Sequence, residues 1–276
     1  DEARRVVGDP AAVDLELPHR AIVPLRFAGA RADTERVRSE TADRVAPVAS
    51  SLSILMPVYN ELATVERAID DALTAELPVE SRQLVLVDDG SRDGTRELLQ
   101  GRELPENVKL VLHERNRGKG AALQTALEHA TGIWAAVLDA DLEYRASDLG
   151  PLLEPLLTGE ANVVFGTRSW ASHSAYSFWY VMGNKGVTFA TNVIYNCWIS
   201  DVMTCHKAMS TELFCSLHLR ERGFSIEPEI AARVLRSGER IYEVPVSYAA
   251  RSREEGKKLT ALDGVRVLRT LLRCRA

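Results

Sequence analysis

A chain of 276 residues, 46% hydrophobic and 26% charged, has ordinary globular composition and can bury a sizeable core without staples. Its net charge of −5 offers no field to draw in nucleic acid, and no apolar run reaches the roughly 18 residues that a bilayer span requires. The four cysteines, Cys197, Cys205, Cys215 and Cys274, form no C-x-x-C pair and read as reduced thiols in a cytosolic protein; His113, His173 and His206 have no zinc-like spacing with them.

Residues 1–50 are rich in Ala, Arg, Asp and Glu and lack strand alternation. They read as an N-terminal extension, either wrapped on the core or loose, with Arg31 to Val45 suited to a polar helix. The chain starts at Asp1 and not at Met, which leaves room for a trimmed membrane segment. From Leu52 the pattern changes. Leu52 to Pro57 is a short apolar run closed by Pro, which should stop the sheet hydrogen bonding there. A helical stretch from about Glu61 to Ala75 follows. Gln83 to Val87 is a second strand, ending in Asp88-Asp89-Gly90-Ser91, and Asp93 to Leu99 begins with a Ser/Asp start signal. Val108 to His113 is a third strand. A helix from Gly118 to about Ala130 stops at Gly132. Trp134 to Leu138 is a fourth strand, ending in Asp139-Ala140-Asp141, and Val163 to Gly166 a fifth. Strands alternating with helices predict an α/β fold with a mostly parallel sheet, in which ligands bind beyond the carboxyl ends of the strands.

The acidic clusters fall at those ends. Asp139 and Asp141, one residue apart where a buried strand turns, can both reach a hard divalent cation such as Mg²⁺ or Mn²⁺ that bridges a diphosphate, with Glu143 as a third ligand or a holder of coordinated water. A solvated acidic turn gives the same pattern. Asp88 and Asp89 end the second strand on the same sheet edge. One can accept hydrogen bonds from a nucleobase or ribose while the other orients the loop, unless both merely cap a turn. After Pro57, Tyr59 offers a ring to a base, and Asn60 and Glu61 suit ribose contacts or helix capping. Asn116-Arg117-Gly118-Lys119-Gly120 opens a helix, where glycine permits close approach of a phosphate, the helix end favours anions and Lys119 adds charge.

The ordered set PVYNE, VDDGS, NRGKG and DADLE resembles the family-2 glycosyltransferases of the GT-A fold, from about Ser53 to Arg273. Phe165-Gly166-Thr167-Arg168, the stretch Ser200 to Lys207, Phe224 to Ile230, Ile241 to Val246, and Arg251 with Glu255 to Leu259 resemble the dolichol- or polyprenyl-phosphate sugar synthase branch. The resemblance implies one catalytic domain over residues 51–276, with a nucleotide-binding half at about 51–145 and an acceptor-binding half at about 146–276. It places Pro57, Tyr59, Asn60, Glu61, Asp89, Asp139 and Ala140 at a nucleotide-sugar donor, and Asp139, Asp141 and Glu143 at the metal. It implies inversion at the anomeric carbon.

For a phosphate acceptor the chemistry asks for cations, and Arg168, Lys207, Arg251, Lys257 and Lys258 are the candidates; for a hydroxyl acceptor Asp201 is the candidate base. The family often shows Gly, an aromatic and Arg after the Asp201 motif, where this chain has Cys205, His206 and Lys207. Lys keeps the charge and loses the bidentate fork. Three readings follow: transfer to a polyprenyl phosphate, transfer to a soluble small molecule or cell-surface precursor, and a non-catalytic binding protein on the same fold. Leu262, Val265, Leu268 and Leu272 align on one face of a basic C-terminal helix, which suits either core packing or peripheral contact with a membrane. Tyr176, Phe178, Trp179 and Tyr180 suit either the core or a prenyl chain.

Overall fold

A computed structural model of the chain describes residues 50–168, 173–174, 178–250 and 261–275. Arg31 to Val45, Tyr176, Arg251, Lys257 and Lys258 lie outside the described residues. The described chain alternates strands and helices in the order β1 (Ser51–Val58), α1 (Val65–Thr74), β2 (Ser81–Asp88), α2 (Thr95–Gly101), β3 (Val108–Leu112), α3 (Lys119–Glu128) and β4 (Trp134–Val137). It continues through α4 (Leu149–Leu157), β5 (Val163–Thr167), β6 (His173–Ser174), α5 (Phe178–Tyr195), β7 (Lys207–Ser210), α6 (Thr211–Ser216), α7 (Ile226–Arg236), β8 (Ile241–Pro245), β9 (Tyr248–Ala249) and α8 (Ala261–Arg275).

Seven strands form one sheet in the order β3-β2-β1-β4-β7-β5-β8, and β6 pairs with β9 beside it. Strands β3, β2, β1 and β4 are mutually parallel, as are β5 and β8, whereas β7 runs antiparallel to both of its neighbours. The sheet is thus the mixed, mostly parallel one expected. Strand β7 was read as part of an acceptor motif and not as a strand. Its four residues are too few to show a period.

The sheet is buried on both faces, so its central strands are apolar almost throughout. Leu52, Ile54, Met56 and Val58 pack with Val65 and Ile69 of α1 and Leu152 of α4, while Leu55, Val85 and Val87 pack with Ala122 and Leu123 of α3 and Ile230 of α7. Each fully buried Leu or Ile contributes roughly 1.5–3 kcal/mol. Ser53 interrupts this pattern on a fully buried site, and its Oγ donates to Gln83 Oε1 at 2.8 Å and accepts from Gly132 N at 2.9 Å. The polar side chain is tolerated because it is satisfied, and it pins the turn into β4.

Pro57 does not end β1: pairing continues to Pro57–Val87 and Val58–Asp88. The Leu55 carbonyl accepts from Leu138 N on the β4 side, and the Val58 carbonyl accepts from Asp89 N on the β2 side. Alternation therefore points the N–H that Pro57 lacks toward β4, one step beyond the final Leu55–Val137 pair. No ladder bond is lost within the sheet.

Candidate active site

The carboxyl ends of β1, β2 and β4 open on one cleft of about 330 Å³. Its lining includes Pro57, Tyr59, Glu61, Asp89, Gly118 and Lys119 from the first three βα units, then Asp139, Ala140, Asp141 and Glu143 after β4. Arg168, Tyr248 and Glu227 complete it from the later half of the chain.

At the centre, Asp139 Oδ2 accepts a 2.7 Å hydrogen bond from the Lys119 ammonium, and its Oδ1 is buried with no hydrogen-bond partner. Burial works to raise the Asp139 pKa, but the Lys119 ammonium leads a set of neighbours that holds it below the ordinary carboxylate value. Lys119 Nζ also donates to Cys205 Sγ at 3.1 Å and lies 2.9 Å from Glu227 Oε1, out of line for a hydrogen bond. Burial alone would lower the Lys119 pKa; Asp139, Cys205 and Glu227 instead keep it well above the ordinary lysine value. Glu227 in turn pairs with Lys207. Charges of alternating sign thus run from the cleft into the core.

Asp141 Oδ1 accepts from Glu143 N at 3.0 Å, and Leu142 between them takes a left-handed φ of 59°, a strained turn for a branched residue. Glu143 Oε2 accepts from the Tyr248 hydroxyl at 2.8 Å. Among the described residues no three acidic, His or Cys side chains are grouped as a metal cage. The orphaned, buried Asp139 oxygen is a hard donor, and the Asp141 and Glu143 side chains line the same cleft. These groups fit Mg²⁺ or Mn²⁺ when a bound diphosphate supplies the remaining ligands, which is how these ions are commonly held.

Arg168 joins the same lining beside Tyr248. Its Nε and Nη2 reach Asp201 Oδ2 and Oδ1 at 2.6 and 2.8 Å, and the guanidinium lies 4.9 Å from the centre of the Tyr248 ring. Burial would raise the Asp201 pKa, yet the Arg168 fork holds it below the ordinary value. Glu243 fixes the Asp201 loop by accepting from Ser200 N at 2.9 Å and Asp201 N at 3.2 Å.

Several expected roles are corrected by this geometry. Asp201 is not poised as a base, because both oxygens are committed to Arg168 and it does not line the cleft. Lys207 does not reach an acceptor: it is fully buried on Glu227 and the Val202 and Thr204 carbonyls. Of the described acceptor candidates, the one that lines the cleft is Arg168, directly after β5. Asp88 is likewise fully buried, gripped by Arg96 at 2.7 Å and capping Ser91 N, so it builds the β2 turn and meets no donor. Asn60, at φ 54°, accepts from Arg92 N at 2.9 Å and stays out of the cleft lining. Asp89 lines the cleft but spends its oxygens on Arg117 N, Gly118 N and His113 Nδ1, all within 2.9 Å, so it chiefly holds the loop before α3.

The start of α3 is not a phosphate cradle either. Gly120 N and Ala121 N already donate to the Arg222 carbonyl at 2.7 and 3.2 Å. A Cβ on Gly118, whose φ is +96°, would lie 2.3 Å from that carbonyl oxygen, and one on Gly120 would lie 2.2 Å from the Glu221 oxygen. The two glycines admit the chain's own backbone in place of a ligand's phosphate. Glu227, Tyr144 and Tyr248 carried no assigned role in the sequence. The legible signal was a pair of acids, Glu227 and Glu229, set between Ile226 and Ile230; Tyr144 and Tyr248 meet, at 5.1 Å between ring centres, only through the tertiary fold.

A mostly parallel sheet with strand-end carboxylates around one cleft defines an open-sheet α/β architecture, whose ligands commonly bind beyond the carboxyl ends of the strands. The chain matches Glycosyl transferase family 2 over residues 53–217, more than half of its length, and belongs to that family. It is 29% identical to the glycosyltransferase AglJ of Haloferax volcanii over 206 residues, 74% of this chain and 65% of that protein. It is 32% identical to an undecaprenyl-phosphate 4-deoxy-4-formamido-L-arabinose transferase of Aeromonas hydrophila over 179 residues, 58% of this chain and 53% of the other. Across the first curated relatives it spans 35% to 65% of their length. The fold is similar to that of glucosyl-3-phosphoglycerate synthase from Mycobacterium tuberculosis, crystallised with Mn²⁺, UDP and phosphoglyceric acid. The TM-score is 0.60 at 23% identity, covering 82% of this chain and 79% of that one. A crystal of the same synthase with Mg²⁺ and UDP also gives 0.60.

Proposed function

We propose that the chain is an inverting, metal-dependent glycosyltransferase that moves a hexose from a UDP- or GDP-sugar to the phosphate of a polyprenyl or dolichyl lipid at the cytoplasmic membrane face. Residues 51–276 form its catalytic domain, with the donor half at about 51–145 and the acceptor half at about 146–276, and residues 1–50 extend it. The observation that carries this reading is the cleft whose lining brings Asp139, Asp141 and Arg168 together.

In this reading Tyr59 and Glu61 hold the nucleoside and Ala140 leaves room beside it. Asp139, Asp141 and Glu143 would hold Mg²⁺ or Mn²⁺, which would supply neutralisation of charge on the leaving diphosphate. A phosphate monoester, with its second pKa near ~6, is mostly a dianion at neutral pH and attacks the anomeric carbon without a base. That matches a site whose Asp201 is tied to an arginine. Arg168 Nη1 makes no hydrogen bond among the described residues, so it is free to meet the acceptor phosphate while Nε and Nη2 stay anchored. The family relative named for undecaprenyl phosphate supports a lipid acceptor.

A soluble phosphorylated acceptor is the second reading. It is favoured by the fold likeness to a synthase crystallised with phosphoglyceric acid, and by the departure from the branch pattern at Cys205 to Lys207. Radiolabelled UDP- and GDP-sugars with Mn²⁺, with and without a short polyprenyl phosphate, separate the two. Label extracted with the lipid is expected. Donor hydrolysis with no lipid product selects the soluble acceptor, and absence of calorimetric donor binding overturns both.

A further inference from the structure

The surface of α5 gathers several large exposed apolar side chains. Phe178, Met182, Phe189 and Val193 are 67%, 46%, 70% and 63% exposed, and Trp198, just beyond the helix, is 88% exposed. At helical spacing these α5 positions fall on one stripe, with exposed Lys185 among them, while Val187 and Thr191 face inward and are buried. A row of large apolar side chains aimed at water is costly, and on a folded protein it marks a surface that meets something apolar.

What it meets follows from charge. Helix α8 lies beside α5, with the Tyr195 hydroxyl donating to the Leu271 carbonyl at 2.8 Å. Its buried side is Val267, Leu271 and Cys274, and its exposed side carries Leu268 and Leu272 among Arg266, Arg269, Arg273 and Arg275. Arg273 also pairs with Glu221. From Phe178 to Ser200 the sequence holds one cation and no acid, and from Ala261 to Ala276 it holds four arginines against Asp263, in a chain whose net charge is −5. Among the described residues no helix is long and apolar enough to cross a membrane. Apolar rows with a cationic rim, too short or too interrupted to span, are suited to lie in the headgroup plane of an anionic bilayer.

We infer that the exposed face of α5, with Trp198 and the outer side of α8, is a docking surface for an anionic lipid bilayer. It deepens the proposed lipid acceptor: Trp198 stands three residues before Asp201, which holds Arg168 on the cleft wall, so a docked membrane would present lipid phosphates beside the site.

The test is sedimentation with vesicles of equal phosphatidylglycerol and phosphatidylcholine, against pure phosphatidylcholine, without donor. Binding at least tenfold tighter to the anionic vesicles, weakened by salt, is expected, with a blue shift of tryptophan emission that Trp198→Phe diminishes. Phe189→Ser with Val193→Ser should reduce binding at least tenfold while thermal unfolding and transfer to a water-soluble short-chain acceptor stay as in the parent. Arg269→Gln should weaken binding to the anionic vesicles alone. No binding to anionic vesicles at low salt, equal binding to both, or unaltered binding of the double variant would overturn the inference. So would a stable dimer that the double variant dissociates, since the stripe would then be an interface between copies. Loss of transfer to the soluble acceptor in the parent protein would instead count against the proposed reaction.

Discussion

Asp201→Asn separates a base from a positioning residue. The Asp201–Arg168 pair is nearly dry, with side chains 7% and 14% exposed, and is bidentate. Removing one partner of a buried, hydrogen-bonded ion pair costs roughly 3–5 kcal/mol. Asparagine keeps the shape and one accepting oxygen but turns an NH₂ toward the guanidinium, so a loss of about 2–4 kcal/mol is expected. In a domain of this size each kcal/mol lowers Tm by about 2–4 °C, which puts the drop at roughly 4–16 °C. The catalytic consequence should appear mainly in the acceptor. With Arg168 unanchored, acceptor KM rises at least tenfold and the acid limb of the kcat–pH profile stays where it was. Calorimetric unfolding and steady-state kinetics across pH measure both. An unchanged Tm, or a kcat that falls with loss of the acid limb, would refute the positioning role and restore Asp201 as the base.

Asp141→Ala should abolish Mn²⁺- or Mg²⁺-dependent turnover with Tm within a few degrees of the parent; full activity would refute the metal assignment. Gly118→Ala places a Cβ against the Arg222 carbonyl at a φ of +96°, so a loss of at least roughly 3 kcal/mol is expected, whereas Gly159→Ala, at φ +73° with no neighbour within 4 Å, should cost about 1. Equal shifts in the two variants by denaturant titration would refute the close approach. In the pH dependence of stability, Asp201 has a folded pKa below its unfolded value of about 3.9, so its contribution is full above that value and is lost as pH falls through the folded pKa. Lys119 has a folded pKa above about 10.4, so its contribution is full below that value and is lost as pH rises through the folded pKa. Tm measured against pH should hide both limbs outside the neutral range, and Asp201→Asn should flatten the acid one.

The first four strands and the carboxylates at their ends were legible because their signals are local. A strand that ends in Asp139-Ala140-Asp141 must place those residues at the sheet edge whatever surrounds it, and β1 to β4 follow the plain βαβ period. The later half was not, because its roles are assigned by partners distant in sequence. Nothing near Lys207 shows that β7 would be inserted antiparallel between β4 and β5, a position that drives its ammonium into the core onto Glu227. The cation and the acid of the acceptor motif were both recognised as types, yet Arg168 and Asp201 bind each other across 33 residues. Glycine at the start of α3 suits phosphate and backbone equally well, and only the Arg222 carbonyl distinguishes them.

The charge chain from Asp139 to Lys207 also bears on how a divalent ion is admitted. The Lys119 ammonium already sits on Asp139 and beside Glu227, so in the free protein the carboxylate has an internal counterion. A doubly charged ion alone would have to approach that ammonium; one arriving with a diphosphate brings its own compensation, and Lys119 then has an anion to face. Two unit charges about 4 Å apart interact by roughly 4 kcal/mol at an effective dielectric of 20, and a quarter of that is still about a fivefold change in Kd. Lys119→Met should therefore tighten Mn²⁺ binding to the free protein at least fivefold, and weaken binding of UDP or GDP in the presence of Mn²⁺. Electron paramagnetic resonance of free Mn²⁺ reads the first and calorimetry the second, neither depending on turnover. If the variant bound Mn²⁺ no better than the parent, Lys119 would be a structural partner of Glu227 and not the occupant that a metal–nucleotide pair displaces.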